Sequence, residues 1–455
     1  MTTLDLKQTQ ISSAIDLFSK GEINQALDAV QDLIKDYPNE PVLFNIRGAC
    51  YADLGQLDIA VKNYEEAISI KPDYAKAHFN LAGSLHDLGK LKAAVQSYQK
   101  TIEIEPNYAE AHNNLGNVFQ ELEQGDSAVQ SYKRALEIKP DYVAAQYSLG
   151  NAFMELEQLD EAVKAYKAAL KLKPDFAGAY NNLGNVFKDL EQIDAAVKSY
   201  KKALEIKPDY VAAQYSLGIM FQDLGQFEAA IKCYEMVLAI KPDFEEAHNN
   251  LGVAFLNLNQ FDEAVKSYKA AIKIKPDFVE AINNLGIGFF NLSQMEDAIK
   301  CYEKAIAIQP GFVKAHNNLG NALMESELLD EAVKSYKIAL KLEPEFVEAI
   351  NNLGITFYKL HQLDDAMNWY ERALVFDPGF ADAHNNIGTV FLELGQLDEA
   401  VKSYKAALKL NPDYLEANNN IGTAFNKLRQ TDLAIKYYER AITIKPDYVD
   451  AHANL

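Results

Sequence analysis

Apolar residues recur at helical spacing in pairs of adjacent stretches, each pair separated by a short polar break. In the stretch VEAINNLGIGFFNL, Ile282, Leu285 and Phe289 fall three and four positions apart. In the following stretch MEDAIKCYEKAIAI, Ala298 and Tyr302 are four positions apart. This spacing places the apolar side chains on one face, so it predicts two short amphipathic helices, which we call A and B.

Proline punctuates these helix pairs at a constant interval. Thirteen of the 14 prolines stand 34 residues apart: Pro38, Pro72, Pro106, Pro140, Pro174, Pro208, Pro242, Pro276, Pro310, Pro344, Pro378, Pro412 and Pro446. A fixed period of this length indicates a repeat array, and a proline stops helix B because a helix cannot continue through it. We number each repeat so that this proline is position 32. The first repeat then starts at Lys7.

The period divides the chain into three predicted parts. Residues 1–40 contain a degenerate N-terminal repeat that we expect to act as a cap, since Ala14 and Val30 replace the usual glycine and tyrosine. Residues 41–448 form twelve tandem repeats, and residues 449–455 begin an incomplete further repeat. The predicted fold is therefore all-α, a solenoid of about 13 helix-turn-helix units.

Small and aromatic residues recur in register within these helices. Position 20 is alanine in all thirteen complete repeats, position 24 is tyrosine in twelve, and positions 8 and 11 are usually glycine and phenylalanine. Glycine inside a helix costs about 1 kcal/mol relative to alanine, so it needs a compensating contact. We expect that contact to be a close approach of helices A and B, with Ala196 facing Gly184.

Acidic residues stand close to the predicted start of each helix. Asp277 is placed to cap a helix A, and Glu280 follows three residues later, as in a capping box. Four aspartates are placed to cap a helix B: Asp160, Asp262, Asp330 and Asp398. The sequence therefore predicts side-chain caps on both helices.

One repeat carries a family resemblance in full. It contains the residues Leu183, Gly184, Phe187, Ala196, Tyr200, Ala203 and Pro208 at positions 7, 8, 11, 20, 24, 27 and 32. This pattern resembles the tetratricopeptide repeat, and the resemblance covers residues 7–448. It implies antiparallel helix pairs stacked into a right-handed superhelix, with helix A lining the concave side.

Asparagines in helix A are the main candidates for a binding site. Position 6 holds Asn80, Asn114, Asn182, Asn250, Asn284, Asn318, Asn352, Asn386 and Asn420, while Ser148 and Ser216 fill two gaps. Position 9, one turn further on, holds Asn117, Asn151, Asn185 and Asn321. Asparagine is a mediocre helix former, and its amide offers both donors and an acceptor, the complement of a peptide backbone. We predict that these rows bind an extended polypeptide.

The rows also resemble the asparagine column in the tetratricopeptide superhelix of O-GlcNAc transferases, which implies a concave groove that holds extended protein substrates. A second interpretation is that the asparagines bond neighbouring helices, or simply copy one ancestral repeat. Residues 137–150 and 205–218 have the same fourteen-residue sequence, which indicates duplication of a two-repeat block. Acidic residues at position 13, such as Glu121 and Glu393, are interpreted as solvated helix ends or as groups that favour basic or polar ligands.

Composition excludes several classes of protein. The formal net charge of −21 argues against a nucleic-acid partner, which would require a basic surface. Three cysteines are too few for a disulfide scaffold, and no apolar run is long enough for a membrane span. The first twenty residues lack a basic start and an apolar core, so we expect no signal peptide and a cytoplasmic location.

The motifs of catalysis and metal binding are not found in the sequence. It contains no phosphate-binding loop, no nucleophile elbow and no HExxH motif. Six histidines share position 4, each in a different repeat, and we interpret them as packing residues: His78, His112, His248, His316, His384 and His452. We therefore predict no catalytic residue, no metal and no cofactor in this chain.

Two functions fit these observations. The first is a protein-interaction scaffold that binds extended peptide segments in its concave groove. The second is the substrate-recruiting N-terminal part of a larger enzyme, such as an O-GlcNAc transferase-like glycosyltransferase or a sulfotransferase, because the sequence stops at Leu455 inside a helix A. Codons beyond 455 would distinguish the two. A structural spacer or self-associating array is a third possibility, and the oligomeric state stays open.

Overall fold

The computed structural model describes residues 3–455, with side chains from Lys7 onward. This part of the chain forms 27 α-helices and no strand, which confirms the all-α solenoid. The chain divides into two compact units, Met1–Met220 and Phe221–Leu455, and α13 (Val211–Asp223) carries the boundary between them. Odd-numbered helices are the A helices of the repeats, and even-numbered helices are the B helices.

The first unit holds the first twelve helices as six pairs. They are α1 (Thr3–Ser19), α2 (Ile23–Asp36), α3 (Pro41–Asp53), α4 (Leu57–Ile70), α5 (Ala75–Asp87), α6 (Leu91–Ile104), α7 (Ala109–Glu121), α8 (Gly125–Ile138), α9 (Val143–Glu155), α10 (Leu159–Leu172), α11 (Ala177–Asp189) and α12 (Ile193–Ile206).

The second unit holds the remaining helices. They are α14 (Phe227–Ile240), α15 (Glu245–Asn257), α16 (Phe261–Ile274), α17 (Val279–Asn291), α18 (Met295–Ile308), α19 (Val313–Glu325), α20 (Leu329–Leu342), α21 (Val347–Lys359), α22 (Leu363–Phe376), α23 (Ala381–Glu393), α24 (Leu397–Leu410), α25 (Leu415–Lys427), α26 (Thr431–Ile444) and α27 (Val449–Asn454).

The turn from helix A to helix B has the same geometry throughout the array. In one repeat Glu157 adopts a left-handed backbone conformation with φ 55°, and its N–H donates to the carbonyl of Met154. The next N–H, from Gln158, reaches back to the carbonyl of Phe153. These two bonds form a Schellman motif, which satisfies the last carbonyls of helix A and reverses the chain. Helix B then packs antiparallel against helix A.

The predicted aspartate caps are wrong. Helix α17 is preceded by Phe278 at its N-cap, and helix α10 by Gln158, and neither makes a side-chain capping hydrogen bond. Asp277 lies one residue too early, whereas Asp160 lies inside the first turn of α10. A carboxylate in the first turn of a helix still interacts favourably with the helix dipole, which accounts for the acidic residues at these positions.

In ten of the described helix pairs, a tyrosine of helix B packs on a glycine of helix A. A Cβ atom added to Gly184 would lie 2.6 Å from Cε1 of Tyr200, and Tyr200 is fully buried. The expectation that Ala196 faces Gly184 is therefore wrong, because the tyrosine ring is the group that occupies this space. The same contact recurs between glycine at position 8 and tyrosine at position 24 in nine other repeats, as between Gly116 and Tyr132.

The A helices of successive repeats lie closer together than the B helices do. Within each unit, an A helix contacts the A helix of the next repeat, as α7 contacts α9 and α19 contacts α21. No two B helices contact each other within either unit. In each unit the A helices therefore form the closely spaced side of the stack, and this side carries the asparagine rows.

Candidate functional site: the asparagine rows of the A helices

The position-6 asparagines link each A helix to the A helix before it. Asn318 donates from Nδ2 to Oδ1 of Asn283 at 3.0 Å, and Asn283 is the position-5 residue of the preceding repeat. We call this repeating bond the asparagine ladder. Its other asparagine–asparagine rungs are Asn80 to Asn45, Asn284 to Asn249, Asn352 to Asn317, Asn386 to Asn351, Asn420 to Asn385 and Asn454 to Asn419.

Other position-6 asparagines have different partners. Asn182 donates to the hydroxyl of Tyr147 and to Oδ1 of Asn151, each at 3.0 Å. Asn114 follows a repeat with phenylalanine at position 5, so it has no ladder rung, and its Oδ1 accepts from Nδ2 of Asn113. Asn250 likewise accepts from Asn249. All nine position-6 asparagines are half-buried. The interpretation that these asparagines bond neighbouring helices thus describes much of their internal bonding.

The ladder depends on a second row that the sequence analysis did not assign to the site. The position-5 asparagines, including Asn283, Asn317 and Asn351, are buried at the contact between A helices. A buried amide oxygen needs a donor, and the ladder supplies it. The signal in the sequence was the recurring dipeptide Asn-Asn at positions 5 and 6, but the pairing across two repeats depends on how the helices align.

The position-9 asparagines anchor the buried tyrosines. The hydroxyls of Tyr132, Tyr166, Tyr200 and Tyr336 donate to Oδ1 of Asn117, Asn151, Asn185 and Asn321, respectively, at 2.7–2.8 Å. These four asparagines are half-buried. In the part of the chain that the structure describes, no hydrogen bond is made by their Nδ2 groups. The internal bond therefore fixes each amide with its donor end unused.

The two rows together leave a mixture of donors and acceptors on the A helices. Asn352 donates to both Asn317 and Asn321, at 3.4 Å and 3.0 Å, which uses the hydrogens of its Nδ2. Its Oδ1 stays available as an acceptor, while Asn321 keeps its Nδ2 as a donor. An amide held by internal bonds has lost its rotational freedom, so a ligand that bonds to it incurs little further ordering cost.

Burial shifts the ionisation of the tyrosines behind these rows. It raises the pKa of Tyr98, Tyr200 and Tyr404 to about 12, because the phenolate would lose its hydration. Hydrogen bonds with Asn114, Ser216 and Thr389, respectively, partly oppose this rise. The tyrosine hydroxyls therefore stay neutral at physiological pH, and Tyr200 and Tyr404 keep the protons that they donate to Asn185 and Thr389 at position 9.

The position-4 histidines hold successive repeats together. In His316 the Nε2 atom lies 3.0 Å from the carbonyl oxygen of Pro310, which follows helix α18 of the preceding repeat. Because a carbonyl can only accept, Nε2 carries the hydrogen. The other five histidines of the row make the same bond to their own proline. This geometry agrees with their interpretation as packing residues.

Three carboxylates of the position-13 row accept hydrogen bonds from the repeat before. Glu121 accepts from His86 at 2.7 Å, and Glu155 accepts from Gln120 at 2.6 Å. Glu393 accepts from the hydroxyl of Tyr358 at 2.5 Å. The row therefore contributes a second set of contacts between A helices, in addition to any effect on a ligand.

Groups with catalytic or metal-binding chemistry are sparse on this surface. The structure from Lys7 onward has no cluster of three histidine, cysteine or carboxylate side chains able to hold a metal ion. Burial raises the pKa of the thiols of Cys50 and Cys301 to about 11, which makes them poor nucleophiles. Among the described helices, none is long and apolar enough to cross a membrane.

Comparison with known proteins finds relatives that match short stretches of this chain. The peroxisomal targeting signal receptor of Saccharomyces cerevisiae is 27% identical over 84 residues, which are 18% of this chain and 14% of the receptor. A TPR repeat-containing protein of Methanocaldococcus jannaschii is 32% identical over 75 residues, which are 16% of this chain and 23% of that protein. The chain thus matches well under two thirds of the length of either relative.

Solved structures also match the chain. The crystal structure of the APC/C hetero-tetramer Cut9-Hcn1 covers 97% of this chain and 94% of its own, with 16% identity and a TM-score of 0.47.

Family models match the repeats directly. The model described as "TPR repeat" matches residues 48–89, 82–123, 150–190, 184–225, 220–259, 289–327, 320–361, 357–395 and 388–429. A second model, "Tetratricopeptide repeat", matches residues 109–142, 245–278 and 416–448. The first model alone covers more than half of the chain, in agreement with the helix pairs and the tyrosine–glycine contacts described above. The chain belongs to the tetratricopeptide repeat family.

Proposed function

We propose that this chain is a protein-interaction scaffold whose A helices bind a polypeptide in extended conformation. The observation that carries the proposal is the arrangement of the asparagine rows. Position 6 offers Oδ1 acceptors, as in Asn284 and Asn352, and position 9 offers Nδ2 donors, as in Asn151 and Asn321. Internal bonds hold both kinds of amide in place on the A helices, and α19 carries one of each, Asn318 and Asn321.

An extended chain is the ligand that such rows fit. Its backbone N–H and C=O groups are unpaired, whereas a helix has already paired its own. Each neutral hydrogen bond contributes only about 0.5–1.5 kcal/mol, so affinity would come from many repeats acting together. Main-chain contacts of this kind impose little selection on the side chains of the ligand.

Charge and the known relatives support the same reading. The formal net charge of −21 favours a neutral or basic segment over an acidic one, because like charges slow association. One relative is named as a receptor for a targeting signal, which is consistent with recognition of a peptide segment, although the match covers only 14% of that receptor.

The experiment uses peptides selected from a random twelve-residue library on the immobilised full chain. We expect replacement of Asn117, Asn151, Asn185 and Asn321 by aspartate to weaken their binding at least tenfold. The carboxylate still accepts the tyrosine hydroxyl, but it removes the donor that a backbone carbonyl needs. Asn368→Asp is the matched control, because Asn368 is exposed on helix α22.

Fluorescence anisotropy of labelled peptides measures the affinities, and circular dichroism checks that helicity is kept. Equal affinity for wild type and the fourfold variant would contradict the proposal. Failure to recover any peptide that binds the chain would contradict it as well.

A further inference from the structure

The B helices of successive repeats leave a groove between them, above the A helix that separates them in sequence. Between α4 and α6 this groove is a cavity of about 410 Å³, with Leu81 of α5 in its lining. Helix α4 contributes positions 25, 28 and 29 to the lining, and α6 contributes positions 22, 23 and 26. Positions 6 and 9 of the A helix do not line it, so the groove is a different surface from the one that carries the asparagine rows.

Trp369 distinguishes the equivalent groove between α20 and α22. Position 23 is serine in six repeats, as at Ser97 of α6, whereas α22 carries the single tryptophan of the chain there. The side chain is half-buried and packs against the cluster that contains Leu340 of α20 and Ile350 of α21. Its indole N–H makes no hydrogen bond with any described residue. An aromatic surface with an unused donor therefore replaces the small serine found in other grooves.

Arg372 lies directly beside this aromatic surface. Its guanidinium carbon is 5.0 Å from the centroid of the Trp369 ring and 6.0 Å from that of Phe376, which is 39% exposed. Its Nη2 atom donates to the carbonyl of Pro344 at 3.4 Å, which anchors the guanidinium against the turn that follows α20. A guanidinium has five N–H donors in one plane, so most of them remain for a ligand.

Two lysines of α20 occupy the positions that form the opposite wall of the groove. Lys337 and Lys341 are exposed at positions 25 and 29, and the ammonium group of Lys337 lies 5.6 Å from the centroid of the Phe357 ring. Neither lysine forms an ion pair with a carboxylate of the described residues, and Arg372 forms none either, although a glutamate stands on each side of Pro344. The groove thus gathers three unpaired cations in a chain whose formal net charge is −21.

We propose that the groove between α20 and α22 binds an acidic segment of a partner protein. A carboxylate of the partner accepts hydrogen bonds from Arg372 and the indole N–H, and an apolar side chain beside it packs on Trp369. Tryptophan and arginine are also the residues that most often dominate the energy of protein interfaces. A nucleic acid is disfavoured, because the acidic remainder of the chain repels an extended polyanion. The groove would be a second binding surface, independent of the asparagine rows.

The single tryptophan makes the site report its own occupancy. The probe is a peptide selected on the immobilised full chain from a twelve-residue library with glutamate at every third position and no tryptophan. We expect this peptide to change the fluorescence emission of Trp369 when it binds. Its twin with glutamine in place of glutamate should bind about tenfold more weakly or worse, because it lacks the charge. Added salt should weaken binding of the acidic peptide by screening the cations.

Two variants locate the contact within the groove. We expect Arg372→Gln to weaken binding of the acidic peptide about 3- to 30-fold. Arg440→Gln is the matched control, since Arg440 has the same repeat position on α26 and its substitution removes the same charge. Trp369→Ser introduces the residue that is common at position 23, and fluorescence anisotropy of the labelled peptide should show weaker binding to it. Circular dichroism checks that both groove variants keep their helicity.

Several results would overturn the inference. Emission that stays unchanged up to about 1 mM peptide would show that the groove does not bind it. Equal losses of affinity in Arg372→Gln and Arg440→Gln would show that the peptide responds only to net charge. A change in emission when the chain alone is concentrated would mean that a second copy occupies the groove. The aspartate substitutions at position 9 should leave binding of the acidic peptide unchanged, and a loss there would place this peptide on the A helices instead.

Discussion

The ring of Tyr200 fills the space that a side chain on Gly184 would need. A Cβ atom on this glycine would lie 2.6 Å from Cε1 and 2.8 Å from Cδ1 of the ring. Contacts this short require the ring or the helix to move. The glycine is therefore retained for the tyrosine, although it weakens helix A by about 1 kcal/mol relative to alanine.

We expect Gly184→Ala to destabilise the array by about 1–3 kcal/mol, despite the better helix propensity of alanine. Gly83→Ala is the control, because a Cβ atom there would lie 3.8 Å from the hydroxyl of Tyr98, an ordinary contact. That substitution should be neutral or stabilising. Chemical denaturation of both variants gives the comparison, and equal effects would show that the tyrosine contact does not decide the outcome.

The hydroxyl of Tyr268 has no hydrogen-bond partner among the described residues, because position 9 of its repeat is Val253. Tyr336 in contrast donates to Asn321 at 2.7 Å. We expect Tyr268→Phe to leave the free energy of unfolding unchanged or to raise it, since it removes an unsatisfied buried group. Tyr336→Phe should lower it by about 0.5–1.5 kcal/mol. Urea unfolding of the two variants measures this difference, and a larger loss for Tyr268→Phe would refute the assignment.

The hydrogen bonds of the asparagine ladder should stabilise the folded array. In Asn318→Ala the buried oxygen of Asn283 loses its donor, and we expect a loss of about 1–3 kcal/mol. In Asn283→Ala combined with Asn318→Ala, the second substitution should cost much less than it does alone. A double-mutant cycle measures this coupling, and strictly additive effects would mean that the two amides do not interact.

Alkaline pH should unfold the array through its buried tyrosines. Burial raises the folded-state pKa of Tyr98, Tyr200 and Tyr404 to about 12, above the ordinary value of about 10 for an exposed tyrosine. The unfolded chain thus loses these protons first as pH rises, so it binds fewer protons than the folded chain. Stability is fully present below about pH 10 and falls as the pH approaches 12. Unfolding followed by circular dichroism across this range tests the claim, and a flat profile would contradict it.

The sequence predicted the helix pairs, but several contacts between them depend on three-dimensional register. The 34-residue proline interval and the apolar spacing in helices such as α17 were enough for the fold class. The partner of Gly184 was predicted wrongly, because helix periodicity places Ala196 and Tyr200 on the same face of α12 and cannot decide which one reaches the glycine. The length and direction of the tyrosine side chain decide it.

The candidate site was predicted only in part. The asparagines of positions 6 and 9 stood out by their recurrence, and their binding role stays a prediction. Their internal bonds could not be predicted from the sequence, because a rung such as Asn318 to Asn283 joins different repeats at a separation of 35 residues. Ser148 and Ser216 were visible as gaps in a row. Only the packing of neighbouring A helices shows that these two serines leave the buried Oδ1 atoms of Asn113 and Asn181 without a donor.

The most direct test of the central claim is a crystal structure of the full chain with one selected peptide bound. We predict an extended peptide along the A helices, with its backbone carbonyls within 3.5 Å of Nδ2 atoms at position 9, such as those of Asn117 and Asn185. A peptide bound to the B helices, or one that is helical when bound, would contradict the account.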